Sequence, residues 1–381
     1  MRILQLADHM GYRGTVPHGM TTYLLMVLPR VRAAGHEVAA CFLREPHTSA
    51  QELERAGIPT HFLNARRYDP TIPLQVARVI ADFKPDLVHA TQVQAVAVAR
   101  MLRGFGARYA LLLHMHNLDV LSAPLRWLNG RLPQPDLALS VSKAAVGPAV
   151  SQFRLAPERV RVFYNAFDAR RFAELAPEAP LRIRRELGLT EATPVVGRAA
   201  RFYPDKANDR LVRAMPEILR RVPEAHAILA GDGSERAACE ALARQLGVQD
   251  RTHFLGHRTD VAAITAACNV MTVTSPADTY PYTALESYAV SKPVIGYNDG
   301  GMPEMVEHGV TGFLAQPDDH AAFAGYIVQC LLDPALTARL GAAGREFVKR
   351  FSIEGHVSEL LGIYEQVLAA HRSASLPGRA R

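Results

Sequence analysis

Val195-Val196-Gly197-Arg198-Ala199-Ala200-Arg201-Phe202-Tyr203-Pro204-Asp205-Lys206 opens as a short aliphatic run, empties into a loop carrying two cations, and leads into the amphipathic stretch Asn208–Arg221. A strand followed by a loop and a helix is the first half of a βαβ unit. Downstream the alternation continues through His226–Ala230, Ser234–Leu246, Thr252–Leu255, Val270–Thr274, Tyr282–Val290 and Pro293–Tyr297. Upstream it is already running: Arg2–Leu6, Met20–Ala34, His36–Phe42, Leu74–Phe83, Asp86–His89, Ala95–Gly104, Tyr109–His114, Leu137–Val141, Lys143–Phe153 and Val160–Tyr164. The polar, Pro-containing stretch Asp168–Pro180 interrupts the pattern. Two α/β domains, each doubly wound about a parallel sheet and facing the other across a cleft, are expected. Ligands in such sheets bind beyond the carboxyl ends of the strands.

Length and composition agree. The 381 residues exceed what one core usually organises, and 49% hydrophobic with 21% charged residues is the make-up of a globular chain. Apolar runs such as Ala110–Leu113 are too short to span a bilayer, and Met1-Arg2-Ile3-Leu4 leads straight into a strand, so a cytoplasmic protein is expected. Cys41, Cys239, Cys268 and Cys330 are widely spaced and read as buried small hydrophobes. Residues 1–170 hold 20 Lys/Arg against 12 Asp/Glu, whereas residues 171–381 hold 23 against 25. That basic first half leaves peripheral contact with an anionic membrane open, beside the plainer reading of scattered solvated arginines. No basic run is dense enough to suggest nucleic acid.

Four elements carry chemistry. Arg201 and Lys206 sit where a strand runs out, and fixed cations there stabilise the charge of a departing diphosphate; two ordinary surface cations are the competing reading. Ile228-Leu229-Ala230-Gly231-Asp232-Gly233 is a strand and a tight turn, which alone is a common connection. In Thr274–Ser287, Asp278 lies in a loop and Glu286 in a helix, and a carboxylate such as Glu286 accepts hydrogen bonds from a ribose diol. Asn298-Asp299-Gly300-Gly301-Met302-Pro303-Glu304 is a diglycine opening a helix, whose free N–H groups suit phosphate. His18-Gly19-Met20 offers a similar amide edge in the first domain.

Taken in order, these elements resemble glycosyltransferase family 4, retaining enzymes with the two-Rossmann GT-B fold. The likeness extends through Ala33-Ala34-Gly35-His36-Glu37-Val38, Pro85-Asp86-Leu87-Val88-His89, Val162–Asp168 and Phe254–Asp260, so it covers almost the whole chain. It implies an acceptor-binding domain at 1–170, joined by a helix at 352–371 that packs back onto it, and a donor-binding domain at 171–351. It also implies diphosphate contacts from Arg201 and Lys206, ribose binding by Glu286, and Asp278 in place of the first Glu of a Glu-x7-Glu motif. Gly300, Gly301 and Met302 fall in its donor loop, Gly231 in a neighbouring turn, Gly19 in its first-domain phosphate loop, and His116 where a histidine stands beside the transferred sugar. Departures are Asp278 itself, His18 for a common glycine and Ala207 for another.

The resemblance implies transfer of a hexose-type sugar from a UDP- or GDP-sugar to a hydroxyl of a glycan or lipid-linked acceptor, with no further cofactor and no metal required. The pair His114/His116 lies on one side of a strand, yet lacks a third ligand at a sensible interval. A nucleotide-sugar epimerase or hydrolase, and a non-catalytic nucleotide-sugar-binding protein, remain as rivals. A nicotinamide dehydrogenase is disfavoured, because no Gly-x-Gly-x-x-Gly follows the first strand.

Overall fold

The computed structural model describes residues 1–11, 19–116 and 121–375. The chain divides into two units, one made of Met1–Ala166 with the terminal helix Ile353–Ser375, the other of Phe167–Ser352.

In the first unit seven parallel strands are hydrogen-bonded in the order β3-β2-β1-β4-β5-β6-β7. They are β1 (Arg2–Ala7), β2 (Glu37–Phe42), β3 (Thr60–Phe62), β4 (Leu87–Thr91), β5 (Ala110–Met115), β6 (Leu137–Ser140) and β7 (Val160–Val162). A parallel sheet covered on both faces needs unbroken apolar strands, and β5 supplies them in Leu111-Leu112-Leu113, all fully buried. Successive residues go to opposite faces. Ile3 and Leu112 join a core with the helices Gly19–Ala33 and Ile353–Ser375, whereas Leu4 and Leu111 join one with Ile72–Phe83 and Val93–Gly104.

The second unit repeats the plan with β8 (Val195–Ala199), β9 (His226–Ala230), β10 (Thr252–Gly256), β11 (Val270–Val273), β12 (Val294–Tyr297) and β13 (Gly312–Ala315), ordered β10-β9-β8-β11-β12-β13. Val196 and Ile295 pack under the helices Asp209–Arg221 and His320–Leu332, while Val195 and Met271 pack under Ala179–Glu186 and Val261–Ala267. In each unit the chain winds outward from its first strand and then returns to that strand's other side. The strand order therefore reverses between β1 and β4 and between β8 and β11. Loops leaving such a switch point diverge and leave a crevice at the carboxyl ends.

Several elements go beyond the sequence reading: β3, β13 and the helices Ala50–Arg55, Ala123–Asn129 and Ala179–Glu186. The helix expected from Lys143 begins at Val146, because the Ser142 hydroxyl accepts the Ala145 amide at 3.3 Å and holds a turn ahead of it. The chain leaves the first unit after Ala166 and returns at Ile353, and within the second unit Phe167 N–H bonds the Phe351 carbonyl at 2.8 Å. Among the described residues no single helix is long and apolar enough to cross a membrane.

Candidate active site

The loop leaving β8 is pinned on two sides. Ala200 N–H bonds Ala230 O at 3.0 Å and Phe202 N–H bonds Asp232 O at 2.9 Å, so the loop runs against the turn that follows β9. In that turn Gly231 has φ +140°, and a Cβ there would lie 1.9 Å from the Ala200 carbonyl oxygen. Glycine is what lets the two loops touch. Arg201 then projects with 44% of its side chain exposed, its guanidinium 5.0 Å over the Tyr203 ring and 3.9 Å from Asp205. Lys206 closes the short turn Pro204–Lys206, and its Nζ donates to Asp278 Oδ2 at 2.9 Å, with Asp205 at 3.5 Å.

Asp278 stands in the loop after β11 and ties that loop to the one after β12. Gly301 N–H donates to the Asp278 carbonyl at 2.7 Å, while the Asp299 carboxylate accepts from Ala277 N–H at 3.0 Å and from Gly300 N–H at 2.7 Å. Side chains at the two glycines would strike this junction: a Cβ on Gly300, at φ +55°, would meet the Asp278 carbonyl at 2.6 Å, and one on Gly301 the Thr279 carbonyl at 2.2 Å. Met302 turns inward. Its side chain is 1% exposed and packs toward Gly296, and its amide bonds Asp299 O at 3.1 Å. Met302 thus supports the loop by packing.

Glu286 is half-buried on the helix Tyr282–Ala289, whose first turn is fixed to β8 by a bond from Thr283 Oγ1 to Ala199 O at 3.1 Å. Beside it the Tyr282 hydroxyl is buried without a hydrogen-bond partner, and burial, then the Glu286 charge, pushes its pKa up. The second unit thus gathers Arg201, Lys206, Asp278, Gly300, Gly301 and the Glu286 helix at the carboxyl ends of β8, β11 and β12. Two cations, carboxylates and closely packed backbone occupy one end of one sheet, a set of groups able to meet phosphate and hydroxyls.

The first unit holds Gly19 and His116. Gly19 is exposed and opens the helix Gly19–Ala33; His18 and Asn117 lie outside the described residues. His116 directly follows β5 and belongs to a buried column of rings. Its centroid is 4.1 Å from His114 and 4.9 Å from Tyr23, while His114 stacks on His89 at 5.4 Å. Tyr23 and Tyr364 hydroxyls reach His356 Nε2 at 3.0 Å and His89 Nδ1 at 2.8 Å. Neither ring nitrogen of His114 has a partner. Burial, reinforced by the neighbouring histidines, holds His89 and His116 down at about 3 and His114 well below its ordinary value; burial also holds His356 at about 4. These imidazoles are neutral at physiological pH. Among the described residues no group of three or more His, Cys, Asp or Glu is placed to hold a metal ion.

Comparison with known proteins matches this arrangement at both ends. The family described as Glycosyl transferases group 1 matches residues 181–347, and Glycosyltransferase Family 4 matches residues 17–171. The chain is a family 4 glycosyltransferase. This glycosyltransferase is 26% identical to the N-acetyl-alpha-D-glucosaminyl L-malate synthase of Bacillus anthracis over 81% of its own length and 82% of that protein's. It is 31% identical to the D-inositol 3-phosphate glycosyltransferase of Saccharomonospora viridis over 60% and 54% of the two chains. The crystal structure of Anabaena HepE in complex with UDP superposes with a TM-score of 0.82 at 26% identity, covering 96% of this chain and all (100%) of that one. Its two Rossmann-like domains are those of the GT-B fold.

Three residues that hold these candidate groups together were not marked by the sequence. Asp299 joins two loops, Asn208 bonds the Arg201 carbonyl through Nδ2 at 2.9 Å, and Arg198 is a buried guanidinium that bonds the Lys206 carbonyl at 2.9 Å. Each lies in a stretch already quoted for its neighbours, but what marks it is a partner distant in sequence. Ala207, where the family often has glycine, takes the left-handed φ of +44°, a conformation costing roughly 1–2 kcal/mol for a residue with a Cβ.

Proposed function

We propose that this chain is a retaining glycosyltransferase that moves a hexose from a UDP- or GDP-sugar to an acceptor hydroxyl in glycan, glycolipid or polysaccharide synthesis. The observation that carries the reading is the Lys206–Asp278 pair at 2.9 Å beside Arg201, at the switch point between β8 and β11. Arg201 and Lys206 take the diphosphate and Glu286 accepts the ribose hydroxyls, while Gly300 and Gly301, whose amides are already engaged by Asp299 and Asp278, allow the close approach of backbone rather than donating to phosphate. Asp278, already held by Lys206, accepts from sugar hydroxyls. A UDP-sugar is supported by HepE, which has been solved with UDP and with UDP-glucose.

In the reaction the bond between the anomeric carbon and the phosphate oxygen breaks, and the acceptor oxygen bonds that carbon from the same face. The acceptor's proton passes to a donor phosphate oxygen, and the nucleoside diphosphate leaves. Charge growing on the diphosphate is what Arg201 and Lys206 stabilise. His116, held neutral by burial, is available as a hydrogen-bonding group and not as a cation. The test is to incubate the chain with UDP-glucose, UDP-N-acetylglucosamine or GDP-mannose and an acceptor pool, and to determine the anomeric configuration of the product by NMR. An inverted product, or hydrolysis alone with every acceptor, sinks the reading.

A lipid-linked acceptor is favoured by the first unit's surface. Trp127 is 59% exposed on the helix Ala123–Asn129 and is covered by the Arg131 guanidinium at 3.4 Å, with Arg126 on the same helix. An aromatic ring beside arginines suits the boundary of an anionic bilayer. Flotation with phosphatidylglycerol vesicles, compared with phosphatidylcholine, tests it; equal recovery with both speaks against membrane contact.

A further inference from the structure

Among the described residues three arginines are buried: Arg100 (0% exposed), Arg184 (7%) and Arg198 (2%). A guanidinium withdrawn from water must place its donors on acceptors. Arg100 gathers the carbonyls of Asn129, Leu132, Pro133 and Phe153. Arg184 gathers those of Thr190, Thr193 and Ala267 together with the Asn269 side chain, around the amino ends of β8 and β11. Arg198 makes the same kind of clamp at the opposite ends of those two strands.

Its bonds follow the site. Nε donates to Asn208 Oδ1 at 3.1 Å, Nη1 to the Thr272 carbonyl at 3.1 Å, and Nη2 to the Lys206 carbonyl at 2.9 Å and Ser275 Oγ at 3.1 Å. Asn208 passes the constraint on through its bond to the Arg201 carbonyl, and Thr274 Oγ1 donates to the Lys206 carbonyl at 3.1 Å. Between Lys206 and Asn208 the backbone is held left-handed at Ala207, a conformation that persists only where surroundings over-determine it. Burial lowers the Arg198 pKa to about 10, with the Asp278 and Asp205 charges opposing, so the group is cationic at neutral pH.

We propose that Arg198 is a positioning residue of the donor site: it fixes the backbones of Lys206 and, through Asn208, Arg201 against the β11 loop that leads to Asp278. Both ligand cations are thereby set before a diphosphate arrives, and Arg198 itself touches no ligand. The inference rests on the donor-site reading given under Proposed function.

The test is titration calorimetry of the full chain with UDP and, separately, GDP, comparing wild type with Arg198→Met, Arg198→Lys, Asn208→Ala and Arg184→Met. Arg198→Met is expected to weaken whichever nucleotide the wild type binds by at least about 10-fold, because small misplacements of binding groups are costly. Arg198→Lys, with charge but no fork, should recover part of that loss. Arg184→Met should lower the melting temperature yet keep affinity within about 2-fold, since its clamp lies at the other end of the sheet. If Arg198→Met fails to fold, Asn208→Ala carries the test: it leaves the guanidinium in place, cuts its link to Arg201, and should weaken binding by a smaller factor. Wild-type affinity in Arg198→Met and Asn208→Ala, or an equal loss in Arg184→Met, overturns the inference and leaves the donor site standing. Binding of neither nucleotide by the wild type removes the donor site and the inference with it.

Discussion

The two units have nearly the same strand order, yet near the end of the sheet where loops diverge they hold opposite chemistry. In the first unit the interior beside β4 and β5 is filled by His89, His114 and His116, stacked and neutral. In the second the interior lies one strand pair over, beside β8 and β11, and holds Arg198, which bonds the Lys206 carbonyl and Ser275, while Lys206 bonds Asp278 in the loops that follow. A fold sets where a ligand can be met, and the side chains on a few strand ends decide whether that place attracts charge. Neutral buried rings offer no net charge to a ligand; fixed cations suit a diphosphate.

Four changes probe that contrast. The largest effect belongs to the charged half: Lys206→Ala should lower turnover by about 100- to 1,000-fold in a sugar-transfer assay, with an unchanged circular dichroism spectrum. Turnover near wild type would mean the cation is a surface charge. Acid should act chiefly on the histidine half. The folded-state pKa values of its four histidines lie below the ordinary 6.5, so as pH falls from 6.5 the unfolded chain takes up protons that the folded one refuses. Stability is therefore complete above 6.5 and is lost as pH drops toward 3, by up to about 1.4 kcal/mol per pH unit for each such histidine. The second unit has one such pair, His226 and His253, lowered chiefly by burial, and should lose less. Hydrogen exchange at pH 7 and pH 5 reads the two units apart; equal loss of protection in both would erase the distinction.

A smaller change sharpens the same point. His114→Phe replaces a partnerless buried imidazole by an apolar ring, and should raise the melting temperature more at pH 5 than at pH 7. A parallel shift at both values would show that its titration contributes nothing. The smallest effect is expected from Tyr282→Phe, which removes a buried hydroxyl without a partner. Stability should rise by about 1 kcal/mol in chemical denaturation; a fall would reveal a bond to that hydroxyl.

Much of this was legible in the sequence because it is local. The aliphatic runs that became β1, β2, β8 and β9 are bounded by polar turns, and Arg201, Lys206, Gly300 and Gly301 lie at the ends of such runs. Other features depend on partners far along the chain. Arg198 bonds Thr272 and Ser275, 74 and 77 residues away, so its own stretch reads only as a strand. The histidine column joins β4, β5 and the terminal helix, and the local spacing shows the pair His114/His116 but not the His89 that stacks on His114 from 25 residues earlier. β3 is three residues of partly exposed edge, too short to show a period. Met302 follows a diglycine, and nothing local reveals that its side chain turns inward.

The helix Ile353–Ser375 gives Ile353, Val357, Leu360, Ile363, Tyr364, Val367 and Leu368 to the core beneath β1 and β5. During synthesis on the ribosome, the unit begun first therefore cannot be finished until the later one has been made in full. Residues 167–352 form a continuous stretch able to fold as it emerges, while the earlier half waits with an open apolar flank for a chaperone to shield.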